Sequence, residues 1–275
     1  MFFKPTVTNI ISKIFGKFAS YRFIFPLQYI INYIYVKSMK VDLNEFDTLG
    51  NYKSLNELFT RKLKKCRNIP HDEKTIISPC DGLITECGEM FISRTIQIKG
   101  FYYKADELLT SYADKEKIKK IYNGNFINFY LSPKDYHRYH TPIDIQVLKA
   151  IHIPGLLYPV NLKYLNKVFD LFVKNERVVL ECKTKEEKIL YMVFVGALNV
   201  GKIKFNFDKR IQTNIKKDGI TTYQYADIFL KKGEELGRFE MGSTIVMFFE
   251  KDMVELTKSR MTQVKFSETV GVIKN

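Results

Sequence analysis

Four side chains in three separate motifs could together form an activated nucleophile. Ser243 sits in Glu240-Met241-Gly242-Ser243-Thr244 and Asp81 in Ser78-Pro79-Cys80-Asp81-Gly82. His137 and His140 lie in Leu131-Ser132-Pro133-Lys134-Asp135-Tyr136-His137-Arg138-Tyr139-His140. A serine hydroxyl reacts once a base takes its proton, and an imidazole oriented by a carboxylate is a common base. Each motif alone has a plainer reading. Gly-Ser-Thr occurs by chance in many loops. Pro-x-Asp-Gly is good turn chemistry, and a turn aspartate needs no catalytic role. On a helix, His137 and His140 would share a face and could hold a metal. His71 and His152 stand alone, so the ligand count argues for no metal. Arg138 could grip a phosphate or carboxylate, or simply cover a surface. Cys80 borders Asp81, but no base accompanies it.

The elements that must position these residues read mostly as short strands. Thr75–Ser78 and Leu83–Cys87 flank the Pro-Cys-Asp-Gly turn, and Thr95–Lys99 alternates. Phe126–Leu131 is an apolar, aromatic run that leads straight into the histidines. Ile145–Ile151, Arg177–Cys182, Ile189–Val195 and Val200–Phe205 follow, with Ala105–Leu109 and Lys163–Phe172 as candidate helices. After the polar turn Lys231–Glu235, the run Ile245–Phe249 reads as a core strand behind Ser243. Short strands with frequent turns predict an α+β chain: a β-rich, sandwich-like or barrel-like domain over 71–275.

Residues 1–70 read as a helical extension. Val7, Ile10, Ile11, Ile14, Phe15 and Phe18 make the stripe of an amphipathic helix. The stretch from Phe23 to Val36 is interrupted by Pro26, Gln28 and Asn32, and is too short to cross a bilayer. Six cations (Lys4, Lys13, Lys17, Arg22, Lys37, Lys40) precede the first carboxylate, Asp42. An apolar face beside a purely cationic one suits an anionic bilayer surface. The same helices could instead pack on the domain or bury a homodimer interface. Arg22 and the lack of a small-x-small site argue against a signal peptide. Ser54-Leu55-Asn56-Glu57 is a capping box for a helix reaching about Lys64.

The 275 residues suffice for one large domain with an extension, and 45% are hydrophobic. A net charge of +14 favours an anionic partner. No nucleic-acid recognition motif is present, so a membrane surface or phosphorylated substrate fits better than nucleic acid. Cys66, Cys80, Cys87 and Cys182 form no Cys-x-x-Cys pair and read as free thiols.

Taken in order, the motifs carry a resemblance. Asn56-Glu57-Leu58-Phe59-Thr60-Arg61, Ser-Pro-x-Asp-Gly, Leu-Ser-Pro-x-Asp-Tyr-His-Arg-x-His-x-Pro, Tyr-Pro-Val-Asn, Val-Gly-Ala-x-Asn-Val-Gly and Lys-Gly-Glu-Glu-x-Gly-x-Phe-x-x-Gly-Ser-Thr follow one another. The chain resembles the membrane-associated, pyruvoyl-dependent phosphatidylserine decarboxylases, from Asn56 to Thr244. Met241 replaces the more usual Leu, and Cys80 fills a variable position. The N-terminal region and the last twenty or so residues match no motif. The resemblance implies a proenzyme cut between Gly242 and Ser243 into chains 1–242 and 243–275, which stay associated. Ser243 then becomes a covalent pyruvoyl (pyruvate) group. By the resemblance, His140 is the base for cleavage, Asp81 orients it, and His137 donates a proton during decarboxylation. The implied reaction forms a Schiff base with phosphatidylserine and releases carbon dioxide and phosphatidylethanolamine. The implied location is peripheral, on the cytoplasmic face of the cell membrane. Competing readings are a pyruvoyl enzyme for a soluble amino acid, a non-enzymatic lipid binder, a nucleic-acid binder and a metal hydrolase.

Overall fold

The computed structural model describes residues 7–98, 101–198, 202–214, 219–240 and 243–274. Lys4, Lys99, Asn199–Gly201, Met241 and Gly242, singled out above, lie outside them. An eight-stranded antiparallel sheet organises the rest. Its order across the sheet is Thr221–Leu230, Ile145–Ile153, Arg177–Lys183, Ile189–Gly196, Ser243–Phe249, Asn125–Leu131, Gly82–Glu89 and Thr262–Val264. The central pair, Ile189–Gly196 and Ser243–Phe249, is buried at every position. That burial is why both read as unbroken apolar runs.

Both faces of the sheet are covered. On one face, Tyr139, Ile203, Phe205 and Phe239 join the core from a three-stranded sheet of Arg138–His140, Glu235–Glu240 and Lys202–Phe205. On the other, Tyr103, Leu108, Leu109, Ile118 and Phe172 come from short helices and their flanks. The fold is therefore α+β, with a sandwich-like side. The large sheet has two ends and stays open, without closing into a barrel.

Three helices lead the chain: α1 (Val7–Ser20), α2 (Phe25–Met39) and α3 (Leu55–Phe59). Ser54 caps α3, accepting from the Glu57 N–H at 3.1 Å, while the Glu57 carboxylate accepts from Lys53 N–H at 2.8 Å. The helix ends at Phe59, short of the expected Lys64. The Arg138 guanidinium takes the Thr60 and Arg61 carbonyls, which a longer helix would need for its own bonds. Contacts of Thr60, Arg61 and Arg67 thus run across the expected boundary near residue 70.

The α2 helix is inverted. Gln28 and Asn32 are its buried residues, and they bond each other at 2.9 Å. Asn32 also donates to the Tyr52 carbonyl. Phe25, Ile30, Tyr33 and Ile34 face outward, as do Ile10, Ile11, Ile14 and Phe18 of α1. Among the described residues, no helix is long and apolar enough to cross a membrane.

Several elements depart from the sequence reading. Lys163–Phe172 is two short helices, Leu162–Leu165 and Leu171–Lys174, with Asp170 in the left-handed region between them. Lys115–Lys120 is a helix capped by Asp114, invisible to periodicity because Ile118 is its one buried residue.

Candidate active site

Ser243 opens its strand in the middle of the large sheet, paired with Leu131 on one side and Gly196 on the other. It is fully buried, and among the described residues its hydroxyl has no hydrogen-bond partner. Leaving such a group unpaired costs about 1–3 kcal/mol, so it marks a place where something is meant to meet it. Phe239 and Ser243 are both tied to the segment that carries the histidines. Phe239 N–H donates to the His137 carbonyl at 2.9 Å, and Ser243 pairs with Leu131. In the sequence, these two ties fall on either side of the expected cleavage junction.

His140 lies at the end of the Arg138–His140 strand. Its Nδ1 bonds the Gly233 carbonyl at 2.9 Å. A carbonyl only accepts, so Nδ1 carries the proton and Nε2 the lone pair. The Tyr136 hydroxyl donates to that Nε2 at 3.1 Å. The ring stacks on Phe266, centroids 3.6 Å apart and planes 13° from parallel. His137 is arranged alike: Nδ1 donates to the Asp135 carbonyl at 2.9 Å, and the ring lies 4.0 Å from that of Phe59. Its buried Nε2 has no partner among the described residues. Because Arg138–His140 is extended, the two imidazoles do not share a helical face, and their bonds go to different partners.

Burial lowers both histidines, His140 to about 4 and His137 to about 3, with Arg138 and Arg61 adding to the effect. Each imidazole is therefore neutral at neutral pH, with Nε2 unprotonated. In the unfolded chain the same groups titrate near 6.5. The unfolded state then binds more protons at mildly acid pH, so stability is complete above about pH 6.5 and is lost as pH falls toward about 4. Thermal unfolding followed from pH 7 to 4 should show Tm dropping over that window. His140→Phe, which stays uncharged, should show a smaller drop.

Asp81 does not touch His140. Its two oxygens take a bidentate pair from Arg67 at 2.5 and 2.9 Å, and Oδ1 also accepts from Phe266 N–H at 2.7 Å. Arg67 is gripped from the other side by Glu45 at 2.8 and 2.9 Å. The link from Asp81 to His140 runs through Phe266, whose N–H binds the carboxylate and whose ring lies against the imidazole. Cys80 is fully buried, and burial pushes its thiol well above the ordinary range.

Sequence reasoning did not assign Tyr136, Gly233, Arg67 or Phe266. Tyr136 and Gly233 lie inside quoted motifs and could have been flagged there. Arg67 and Phe266 lie outside every quoted motif, and only the fold brings them to the site.

A fully buried serine hydroxyl opens a central strand of an open antiparallel sheet, in an α+β protein that also buries two neutral histidines. The chain belongs to the phosphatidylserine decarboxylase family, whose model matches residues 55–272. It is 48% identical over 267 residues to the phosphatidylserine decarboxylase proenzyme of Helicobacter pylori (strain J99), covering 96% of this chain and 97% of that one. The proenzyme of Campylobacter jejuni is 45% identical over 265 residues, covering 94% and 97% of the two chains. That of Coxiella burnetii is 31% identical over 268 residues, covering 96% and 94%.

Proposed function

We propose that this chain is a proenzyme that cuts itself between Gly242 and Ser243 and then decarboxylates phosphatidylserine. The observation that carries the reading is the buried Ser243 hydroxyl, without a partner among the described residues, in a chain whose His137 and His140 both present an unprotonated Nε2.

In the first step Ser243 Oγ attacks the Gly242 carbonyl, and the peptide bond shifts to an ester. His140 Nε2 takes the hydroxyl proton, which requires Tyr136 to release it. Phe266 and the Gly233 carbonyl hold the ring, and Asp81 positions Phe266. β-Elimination then frees the Gly242 carboxylate and leaves a dehydroalanine at 243. Water adds and ammonia leaves, giving the pyruvoyl group on the short chain. Because His140 stays neutral to about pH 4, cleavage should persist at pH 5, where an ordinary histidine is mostly protonated.

A pyruvoyl group made from residue 243 fits this site, since Ser243, which would carry it, is already fully buried. Its carbonyl supplies an electron sink for loss of carbon dioxide. His137 Nε2, buried and without a partner among the described residues, is the assigned proton carrier for the former α-carbon. Intact-mass analysis under denaturing conditions tests the reading. The expected fragments are 1–242 and 243–275, the second lighter than the plain peptide by one ammonia.

The inverted helices support docking on an anionic bilayer. Fully burying one large apolar side chain stabilises by about 1.5–3 kcal/mol, and α1 and α2 expose a row of them beside Lys13, Lys17 and Lys37. Ile14→Asp combined with Ile30→Asp should cut sedimentation with phosphatidylglycerol-containing vesicles by more than about tenfold. Self-cleavage should be unchanged. Vesicle binding equal to that of the parent would overturn the docking surface.

A further inference from the structure

Arg61 is a buried cation that forms no salt bridge with a carboxylate among the described residues. It is 2% exposed. Its Nη2 donates to the Lys134 carbonyl at 2.6 Å and the Asp135 carbonyl at 3.1 Å. A guanidinium has five N–H groups. Among the described residues, Nε and Nη1 have no hydrogen-bond partner, which leaves three N–H groups unused. The Phe46 ring, 4.5 Å from Cζ, covers one face of the guanidinium. A buried charge that is neither paired nor fully hydrogen-bonded is costly, and such an arginine is a common seat for a planar or tetrahedral oxyanion.

Its position gives the oxyanion an identity. Arg61 and His137 share one acceptor, the Asp135 carbonyl, which takes Arg61 Nη2 at 3.1 Å and His137 Nδ1 at 2.9 Å. The guanidinium therefore borders the ring assigned to the decarboxylation step. Arg61 follows the end of α3 in the chain, and α3 packs against α1 and α2, the helices with outward apolar faces. Arg61 thus links the helices of the expected bilayer side to the segment that carries His137.

We propose that the unused N–H groups of Arg61 bind the phosphodiester of the substrate headgroup. The inference rests on the phosphatidylserine reading above and adds the group that recognises the lipid phosphate. Of the two anions on that headgroup, the carboxylate departs as neutral carbon dioxide. A cation bonded to it would favour the state before the bond breaks. The phosphodiester keeps its charge throughout, so binding it lowers KM without opposing the chemistry. Arg61 would then separate glycerophospholipids from free serine.

The test uses cut, full-length chains and a short-chain phosphatidylserine kept monomeric in solution, so that no bilayer contributes. Losing a hydrogen bond to a charged group costs enough to raise KM roughly 10- to 100-fold in Arg61→Gln, with kcat within about threefold. Inhibition by short-chain phosphatidylethanolamine, which has the phosphate and lacks the carboxylate, should weaken by the same factor. Arg61→Lys, which keeps the charge, should recover part of both. If KM rises while phosphatidylethanolamine inhibits as before, the bound anion is the carboxylate and the phosphodiester assignment is overturned. If kcat alone falls, or nothing changes, Arg61 only braces the loop before His137 and the proposal fails. A separate readout needs no chemistry. The uncut Ser243→Ala chain should bind short-chain phosphatidylethanolamine in a calorimetric titration, and addition of Arg61→Gln should weaken that binding by the same factor. A parent chain that neither cuts itself nor releases carbon dioxide would sink the functional reading, while this titration would still judge Arg61.

Discussion

Ser243→Ala is expected to yield a single uncut chain of 275 residues that is folded and releases no carbon dioxide from phosphatidylserine. The stability side of this result follows from burial. The Ser243 hydroxyl has no partner among the described residues, so its removal breaks no hydrogen bond. It also relieves the cost of an unsatisfied polar group. Tm should stay level or rise by a few degrees. The activity side follows from the proposed chemistry. Without Oγ there is no ester, no elimination and no pyruvoyl group, so the loss should exceed about a thousandfold. Gel electrophoresis, circular dichroism and a carbon dioxide release assay decide it together. A variant that still decarboxylates would show that the electrophile comes from elsewhere.

His140→Ala should slow self-cleavage by roughly a hundred- to ten-thousandfold, the span that a positioned general base usually contributes. This variant has a structural cost that Ser243→Ala lacks. It leaves the Tyr136 hydroxyl and the Gly233 carbonyl unpaired and opens a space against Phe266. Slow cleavage alone would therefore not separate a missing base from a damaged site. Added imidazole makes the distinction, because a free ring can enter the space and take the proton. Cleavage restored by imidazole in a concentration-dependent way supports the assignment. Maturation at the parent rate without imidazole would exclude His140 as the base. Asp81→Asn should slow cleavage less directly, by loosening Arg67 and the Phe266 N–H that Asp81 now holds. His137→Ala should give chains that cut themselves yet decarboxylate poorly.

The candidate site was legible in the sequence where chemistry depends on short motifs. Ser243, His137, His140 and Asp81 could be picked out without a fold because their motifs occur together and in order, although each motif alone has a plainer reading. Their mutual geometry was not legible. Asp81 reads as a direct partner for a histidine, but its oxygens face Arg67 and Phe266, 14 residues before it and 185 after it. No local pattern encodes contacts of that separation. The central strands were readable because full burial writes an uninterrupted apolar run, as in Ile245–Phe249. The edge strand Thr221–Leu230 was not, because it alternates partly exposed and exposed residues along most of its length. The α1 stripe was visible as a helix, but a hydrophobic stripe does not say which apolar phase it meets. Its outward direction and the inverted burial of Gln28 and Asn32 emerge only in three dimensions.

The strand that begins at Ser243 has a consequence for the life of the molecule after a cut at Gly242. Residues 243–275 are bonded into the long chain at several places. Ser243–Phe249 is hydrogen-bonded on both sides, Thr262–Val264 pairs with Gly82–Ile84, and Thr269–Ile273 pairs with Thr75–Ile77. The precursor can assemble this arrangement as one chain, with the loop already closed. A severed molecule that unfolds must find its 33-residue partner in solution, so recovery becomes second order and fails on dilution. Maturation would thus make folding a one-way event. The precursor's durability is an equilibrium property, whereas that of a cleaved chain pair would be set by how slowly the short chain can leave the sheet.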